Sequence, residues 1–244
     1  MHSGRIAELL HPFLSSNLCH SEPGQRPGEE SAVLSDSQLL SISTYIDILI
    51  HWNARINLTA VRDDEGIVTR HFGESLFAAY HLFPIFCPVS PSVASGDLDL
   101  VGVHQTTIPL RVADLGSGAG FPGIPIKLWA PNVSMTLIEA NHKKAAFLRE
   151  VSRALGLTGI DVQNIRAETI TQVFDVVTLR AVERFADILP VAGTLLAPSG
   201  RLALLIGTSQ VAEAHRKLPH LAWEPPISIP ESNSRLLLIG TREP

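Results

Sequence analysis

The chain has 244 residues, of which 45% are apolar and 18% charged, and its formal net charge is −5. This composition is typical of a soluble globular protein and argues against an indiscriminate nucleic-acid binder, whose charge would be strongly positive. No run approaches the roughly 20 apolar residues of a membrane span, and residues 1–14 lack the apolar centre of a signal peptide, so we expect a cytoplasmic protein. The two cysteines are far apart and the ten histidines lack ligand spacing, which predicts no metal site.

The N-terminal part of the chain is predicted to be helical. A short helix contains Ile6, Leu9 and Leu10, and residues 20–32 form a flexible join rich in Pro, Gly and Ser. Ser35 and Gln38 then make a capping box before a longer amphipathic helix, residues 36–56. Because that helix begins only after the box, we expect residues 1–34 to be dispensable for activity.

A second helix, residues 65–82, follows a polar loop and is capped by Asp63 or Asp64. Polar and basic residues are concentrated in this loop and on this helix. They are Asn53, Arg55, Asn57, Arg62, Arg70 and His71. Taken singly, such residues cap helices and turns or lie on a solvated surface. Taken together, they are candidates for a local basic face that binds RNA, which the net charge does not exclude.

The chain divides into three parts by composition. Residues 1–82 are a helical extension, and residues 83–109, rich in Pro, Ser, Gly and Val, are a linker or insertion. Residues 110–244 alternate strand and helix patterns and end in two strand-like runs without a helix between them. This order predicts a Rossmann-like α/β domain with a mostly parallel seven-stranded sheet and an antiparallel C-terminal hairpin.

A buried strand at the start of the α/β domain ends in an acid and a glycine-rich turn. The strand is followed by Asp114, and Gly116, Gly118 and Gly120 permit positive φ angles and close approach of a ligand. Gly118, Gly120 and Gly123 also satisfy the dinucleotide pattern G-x-G-x-x-G.

The residues after this turn favour a ligand without phosphates. Pro122 and Pro125 fall in the first turn of the next helix, and proline has no amide hydrogen to offer a pyrophosphate. Asp114 adds a negative charge there. S-adenosylmethionine, which has an amino group, a sulfonium and a ribose but no phosphate, suits the turn better than a nicotinamide dinucleotide. A glycine-rich turn that binds no ligand is the structural alternative.

Three further polar residues follow later strands of the same domain. Glu139 ends the second strand, where an acid can accept hydrogen bonds from ribose hydroxyls. Glu168 follows the third strand, where it can flank an adenine or remain a surface acid. Arg180 ends the fourth strand, and an arginine at the tip of a buried strand is rarely without a partner.

Several of these segments resemble one family, the bacterial ribosomal RNA small subunit methyltransferase G family, also called glucose-inhibited division protein B. The resemblance is carried by Trp52-Asn53, Asn57-Leu58-Thr59, Arg70-His71, the loop 114–123 and Arg180-Ala181. It implies a class I methyltransferase that uses S-adenosylmethionine to methylate N7 of one guanine in the decoding region of 16S rRNA, free or in the small ribosomal subunit. The cofactor contacts it implies fall on Gly116, Phe121, Ala167, Glu168 and Arg180.

The sequence departs from the family pattern at Glu74, where aspartate is usual, and at Ile206, where lysine is common. The expected chemistry needs no general base, because N7 of guanine carries a free lone pair at neutral pH. We therefore expect catalysis by positioning alone, with no catalytic residue in the sense of an acid or base. The alternatives are a nicotinamide-dependent oxidoreductase and a non-catalytic RNA-binding or ribosome-binding relative.

Overall fold

The computed structural model describes residues 1–15, 33–83, 108–182 and 184–244. Within these ranges, one eight-stranded sheet carries helices on both faces. The strands are β1 (Arg111–Leu115), β2 (Ser134–Ile138), β3 (Ile160–Gln163), β4 (Phe174–Arg180), β5 (Leu196–Gly207), β6 (Leu221–Trp223), β7 (Ile227–Ser228) and β8 (Arg235–Arg242). Most of the predicted linker, residues 84–107, lies outside the described residues.

The helices account for the N-terminal part of the chain and for the connections of the sheet. They are α1 (Ser3–Leu14), α2 (Asp36–Asn53), the single turn α3 (Asp64–Gly66), the π-helical segment π1 (Ile67–Gly73), α4 (Glu74–Leu82), α5 (Gly123–Trp129), α6 (His142–Ala154), α7 (Phe185–Thr194) and α8 (Val211–Lys217). The predicted capping box of Ser35 and Gln38 is present, and the side chain of Asp63 accepts from the amide of Gly66. Local capping chemistry therefore sets where α2 and α3 begin.

The sheet has the strand order β3-β2-β1-β4-β5-β8-β6, with β7 paired to β8. Neighbours from β3 to β5 are parallel, and β8 is antiparallel to β5, β6 and β7. The predicted fold, mostly parallel with antiparallel C-terminal strands, is confirmed; the two-residue strand β7 was not predicted. Because the chain winds outward from β1 in both directions, the topological switch point lies between β1 and β4, where open α/β sheets bind ligands.

The two faces of the sheet bury separate apolar clusters. Val112 of β1 belongs to a cluster that also contains residues of α1, α2, π1 and α4, whereas Ala113 and Leu115 pack on the opposite side with α7 and α8. Alternate residues of a strand point to opposite faces, so β1 contributes to both cores. The N-terminal helices therefore share one core with the sheet.

Helix α1 is more deeply integrated than its short sequence pattern indicates. Its side chains Ile6, Leu10, Phe13 and Leu14 are buried. The ring of Phe13 lies against Gly73 at the end of π1, where an added Cβ would come within 2.6 Å of it. This packing argues against the expectation that residues 1–34 are dispensable, because α1 supports the segment that carries Arg70 and His71.

Candidate functional site

The glycine-rich turn after β1 adopts a conformation that requires glycine. The φ angles of Gly116, Gly118 and Gly120 are +69°, +56° and +85°, and this left-handed region is unfavourable for residues with a Cβ. The amide of Gly116 donates to the carbonyl of Ile138 over 2.9 Å, and the amide of Gly118 donates to Glu139 Oε2 over 2.9 Å. The turn is therefore tied to the end of the neighbouring strand β2.

The first turn of α5 has no free amide hydrogen for a phosphate. The amide of Gly123 donates to Asp114 Oδ2 over 3.2 Å, and that of Ile124 donates to the carbonyl of Gly120 over 2.8 Å. Pro122 and Pro125 have no amide hydrogen. A pyrophosphate would find no donors at this helix end, which supports the sequence argument against a dinucleotide.

The sequence had suggested Asp114 and Gly120 as cofactor-binding residues. Both lie beneath the turn, however, and do not line the cleft. Asp114 is fully buried, and its Oδ1 accepts from Thr178 Oγ1 over 2.9 Å. Burial raises the pKa of this carboxyl group to about 6. An added Cβ at Gly120 would meet the hydroxyl of Tyr45 and come within 2.8 Å of Ile124 Cδ1. Both residues hold the shape of the turn from below.

A cleft of about 1070 Å³ opens above the turn at the switch point. One side, which we call the sheet wall, is formed by residues at the ends of β1, β2 and β3. These residues are Gly116, Gly118, Phe121, Glu139, Ala167 and Glu168. The opposite side, the helical wall, is formed by Thr59, Arg62, Arg70 and His71, and Arg180 and Arg235 also line the cleft. The predicted candidates Asn53, Arg55 and Asn57 are not among its lining residues.

Glu139 is the centre of the sheet wall. Its Oε1 accepts from the amide of Asn141 over 2.7 Å and its Oε2 from the amide of Gly118, and only 8% of the residue is exposed. Each carboxylate oxygen retains capacity for one more hydrogen bond. Asn141 separately caps α6 by accepting from the amides of Lys143 and Lys144. Glu139 is thus held rigidly with acceptor capacity left for a ligand.

His71 is the centre of the helical wall and is neutral. Its Nε2 lies 2.6 Å from Thr59 Oγ1, and its Nδ1 lies 3.2 Å from Arg180 Nη2. Because a guanidinium can only donate, Nδ1 is the acceptor and Nε2 carries the hydrogen. Burial, and then the charges of Arg180, Arg70 and Arg235, lower the pKa of His71 to about 3. A neutral ring with so low a pKa is a poor general base.

Phe121 is packed between aromatic rings from the N-terminal helices. Its ring stacks on Tyr45 at 5.3 Å and 3°, and on His71 at 4.9 Å and 22°. Only 7% of Phe121 is exposed, so it is a packed ring and not a free stacking platform. The stack connects the buried core to the cleft.

Charged side chains are buried next to His71. Glu74 Oε2 lies 3.0 Å from Arg180 Nη2 and 2.9 Å from Arg235 Nε. Arg180 also donates to the carbonyl oxygen of Arg70. Burial is the main reason that the pKa of Arg180 falls to about 10, so this arginine remains charged at neutral pH. The end of β4 is thereby joined to π1, α4 and the start of β8.

Comparison with known proteins now places the chain. A family model described as rRNA small subunit methyltransferase G matches residues 98–225. A protein named ribosomal RNA small subunit methyltransferase G from Chloroflexus aggregans is 36% identical, covering 86% of this chain and 84% of that protein. Its namesake from Stenotrophomonas maltophilia strain K279a is also 36% identical, covering 90% and 92%. The chain belongs to the rRNA small subunit methyltransferase G family.

The fold is also found among solved methyltransferase structures. The ribosomal protein L11 methylase of Lactobacillus delbrueckii subsp. bulgaricus superposes with a TM-score of 0.53 at 14% identity, covering 72% of this chain and 79% of that one. At this identity the likeness concerns the fold alone. Within the described ranges, no group of His, Cys, Asp or Glu has the arrangement of a metal site, and no helix combines the length and hydropathy needed to cross a bilayer.

Two candidates of this family member organise the loop after α2 instead of facing the cleft. Asn53 Oδ1 accepts from the amides of Leu58 and Thr59 over 2.9 and 3.0 Å, and its Nδ2 donates to the carbonyl of Thr59. Asn57 Oδ1 lies 3.4 Å from Arg62 Nη2. The capping role that the sequence allowed is the one that the structure describes for Asn53, because the chain must reverse direction here.

Three residues at or below the cleft were not among the predicted site residues. Tyr45 donates its hydroxyl to the carbonyl of Ala119 in the glycine-rich turn. Thr59 accepts from the amide of Val61 and contacts His71. Arg235 reaches Glu74 from the first position of β8. The only signal in the sequence for Arg235 is a charge placed directly before an apolar strand, which occurs often without function.

Proposed function

We propose that the protein transfers the methyl group of S-adenosylmethionine to N7 of one guanine in the decoding region of 16S rRNA, either as free RNA or within the small ribosomal subunit. The observation that carries this proposal is membership of the family whose members bear the name rRNA small subunit methyltransferase G. The cleft at the switch point supports it, since it combines a glycine-rich turn without phosphate donors and an acid at the end of β2.

The residues of the sheet wall fit the cofactor. Bare backbone at Gly116 and Gly118 lets a ligand approach closely, and an added Cβ at Gly118 has only the carbonyl of Gly116 within 4 Å, at 3.7 Å. Glu139 would hold the ribose hydroxyls with its remaining acceptor capacity, and Ala167 and Glu168 would flank the adenine. Arg180 would attract the carboxylate of the methionine part. When bound, S-adenosylmethionine supplies an electrophilic methyl group on a sulfonium.

The helical wall would position the guanine without moving a proton. Guanine N7 must come to about 3 to 3.5 Å from the methyl carbon, in line with the leaving sulfur. The neutral His71 is a weak base because its pKa is lowered to about 3, and the carboxyl of Asp114 is sealed beneath the turn. Neither is needed, because the N7 lone pair is already free. Positioning of the guanine in the cleft is the contribution we assign to the protein.

The charge around the cleft favours RNA as the partner. Among the described residues, seven arginine or lysine side chains and four acidic ones line it, although the whole chain has a net charge of −5. Local cationic clefts attract polyanions even on acidic proteins. Arg62 and Arg70 contribute to this charge and are both exposed, as an RNA contact requires.

The test is methylation with labelled S-adenosylmethionine. The protein is incubated with 16S rRNA, or with small subunits, from a strain that lacks this gene, and the product is cleaved with borohydride and aniline at N7-methylguanine. We expect one new cleavage site. Label in another position of the base, label in a ribose, or no transfer to either substrate would overturn the proposal.

A nucleotide titration separates this proposal from the oxidoreductase alternative. We expect S-adenosylmethionine to bind in a calorimeter and NADH not to bind. The variant Glu139→Ala should weaken the binding of S-adenosylmethionine, whereas Glu150→Ala, an exposed acid on α6, should leave it unchanged. Tight NADH binding would contradict the assignment of the turn.

A further inference from the structure

Two arginines share one carboxylate oxygen beside the cleft. Glu74 Oε2 lies 3.0 Å from Arg180 Nη2 and 2.9 Å from Arg235 Nε. The side chains of Glu74, Arg180 and Arg235 are 4%, 7% and 25% exposed. The cluster therefore has one positive charge more than it has negative charges, in a position largely shielded from water.

This excess charge is not compensated by other described residues. Arg180 Nε is buried and has no hydrogen-bond acceptor among the residues that the structure describes, and Arg235 Nε has only its ion-pair contact with Glu74 Oε2. The neighbouring Arg70 is also cationic, and its charge and that of Arg235 both lower the pKa of Arg180. Buried cations without matching acceptors are unfavourable. An added anion would relieve this cost.

The position of the cluster distinguishes it from the sheet wall. Arg180 ends β4, and Arg235 begins β8 opposite Gly207 of β5. In the strand order, β5 and β8 lie on the other side of β4 from β1 and β2. Glu139 at the end of β2 is thus on the far side of the switch point. Arg235 therefore lies on the half of the cleft that is left for the acceptor, and Arg180 at the end of β4 lies between it and the sheet wall.

Exposure increases outward from the cluster to the rim. Arg180 is almost buried, the side chain of Arg235 is one quarter exposed, and Arg70 is exposed. The single carboxylate of the cofactor would pair with the innermost cation, Arg180. The RNA backbone would lie over the rim of the cleft, where the two outer cations, Arg235 and Arg70, can contact its phosphates.

We propose that Arg235, together with Arg70, binds a backbone phosphate of the RNA next to the target guanine. This inference rests on the proposed function, which identifies the acceptor as RNA. A guanidinium can hold two phosphate oxygens at once, which suits a site that must fix orientation. Ile206, where the family commonly has lysine, is buried opposite Leu236. Arg235 lies at the next register position and supplies a cation to the same edge.

The test compares Arg235→Gln with the wild-type protein and with Arg216→Gln. Arg216 is an exposed arginine of α8 that pairs with Glu213 and does not line the cleft. Affinity for 16S rRNA is measured at several KCl concentrations, and affinity for S-adenosylmethionine by calorimetry. For Arg235→Gln we expect RNA affinity to fall about tenfold and the slope of log affinity against log salt to decrease by about 0.7 to 0.9. Cofactor affinity should stay within about twofold.

Three results would overturn the phosphate site. The first is an unchanged salt slope, the second a loss of cofactor affinity without a loss of RNA affinity, and the third an equal effect of Arg216→Gln. If Arg235→Gln does not fold, Arg235→Lys decides: we expect it to keep the salt slope and lose part of the affinity, because the charge stays and the fork is lost. Unchanged RNA affinity in that variant would contradict the proposal. Wild-type protein that binds S-adenosylmethionine and RNA but leaves guanine unmethylated would contradict only the proposed function.

Discussion

The sheet wall of the cleft is held by backbone amides that are close in sequence, whereas the helical wall is held by side chains from distant parts of the chain. In the sheet wall, Glu139 accepts from the amides of Gly118 and Asn141. In the helical wall, Arg180 contacts His71 and Glu74, more than 100 residues earlier. Contacts made by the backbone persist after most substitutions. In a buried side-chain cluster, removing one member leaves charges or polar groups without partners. The helical wall should therefore be the more fragile of the two.

The largest effect is expected from deleting residues 1–15, which supports the helical wall from behind. Burying Ile6, Leu10, Phe13 and Leu14 stabilises the fold by about 6 to 12 kcal/mol in total, at about 1.5 to 3 kcal/mol for each side chain. That is comparable with the whole stability of a domain, about 5 to 15 kcal/mol. We expect the shortened chain to unfold in urea without a cooperative transition.

The single substitution Leu10→Ala is the graded control for this deletion. It should cost about 2 to 5 kcal/mol and leave a cooperative transition. A shortened chain as stable as the complete one would show that α1 is accessory, as the sequence alone suggested.

Glu74→Gln should have the next largest effect because it leaves the buried Arg180 and the partly exposed Arg235 without an acid. Breaking a buried pair in this way costs about 3 to 5 kcal/mol, and urea unfolding measures it. Glu74→Asp keeps the charge and should retain most of the stability. Equal stability of wild type and Glu74→Gln would mean that the cluster is already solvated, and the contrast between the walls would disappear.

Gly116→Val tests the sheet wall at its backbone. The residue has φ +69°, and an added Cβ would lie 3.6 Å from the side chain of Val182, so the change does not overlap with the protein. It acts through backbone strain and by filling space that the ligand needs. We expect affinity for S-adenosylmethionine to fall about 100-fold, equivalent to about 2.7 kcal/mol. Gly156→Val is the matched control, because Gly156 has φ +61° with nothing within 4 Å. It should lose similar stability and keep the cofactor affinity.

Tyr45→Phe removes one contact that joins the two walls, the hydrogen bond from the buried Tyr45 hydroxyl to the carbonyl of Ala119. We expect a loss of about 1 kcal/mol in stability and a several-fold higher KM for S-adenosylmethionine, with kcat less affected. Tyr80→Phe, on α4 against Trp129, should leave KM unchanged. A fall in kcat alone would place Tyr45 on the acceptor side instead.

The smallest effect is expected from pH between about 6.5 and 8.5, where single-turnover methyl transfer should be nearly flat because no proton has to leave. His71 is neutral throughout this range, since its pKa is lowered to about 3. Below about pH 6.5, the free energy of unfolding should depend on pH. As pH falls from 6.5 towards 3, the unfolded chain binds a proton at this histidine before the folded chain does, so the contribution of His71 to the free energy of unfolding decreases. Asp114, whose pKa is raised to about 6, contributes in the opposite direction, because the folded chain binds its proton first.

His142→Ala is the control for the pH profile, because this histidine begins α6 and does not line the cleft. Its profile should match that of the wild type. A steep rise in the rate of the chemical step with pH would require a general base. Such a base would have to be sought among the residues of the helical wall.

The sequence by itself determined the sheet and much of its wall. The sequence shows local patterns here: a buried strand followed by glycines, two prolines after them, and acids at strand ends. Because parallel strands end at one edge of the sheet, such patterns predict correctly which residues lie together. Gly116, Gly118, Glu139, Ala167 and Glu168 accordingly line the cleft. A local pattern does not show how deeply a side chain is buried. The sequence therefore did not indicate that Asp114 lies fully buried beneath the turn.

Only the tertiary structure decided the helical wall. Nothing near Glu74, Arg180 or Arg235 in the sequence indicates that one carboxylate meets two arginines, because the contact depends on how α4 packs against the ends of β4 and β8. The neutral state of His71 has the same origin, since burial and surrounding cations, not its own neighbours in the chain, lower its pKa. Charge balance inside a protein is a property of the assembled core, and a linear pattern cannot express it.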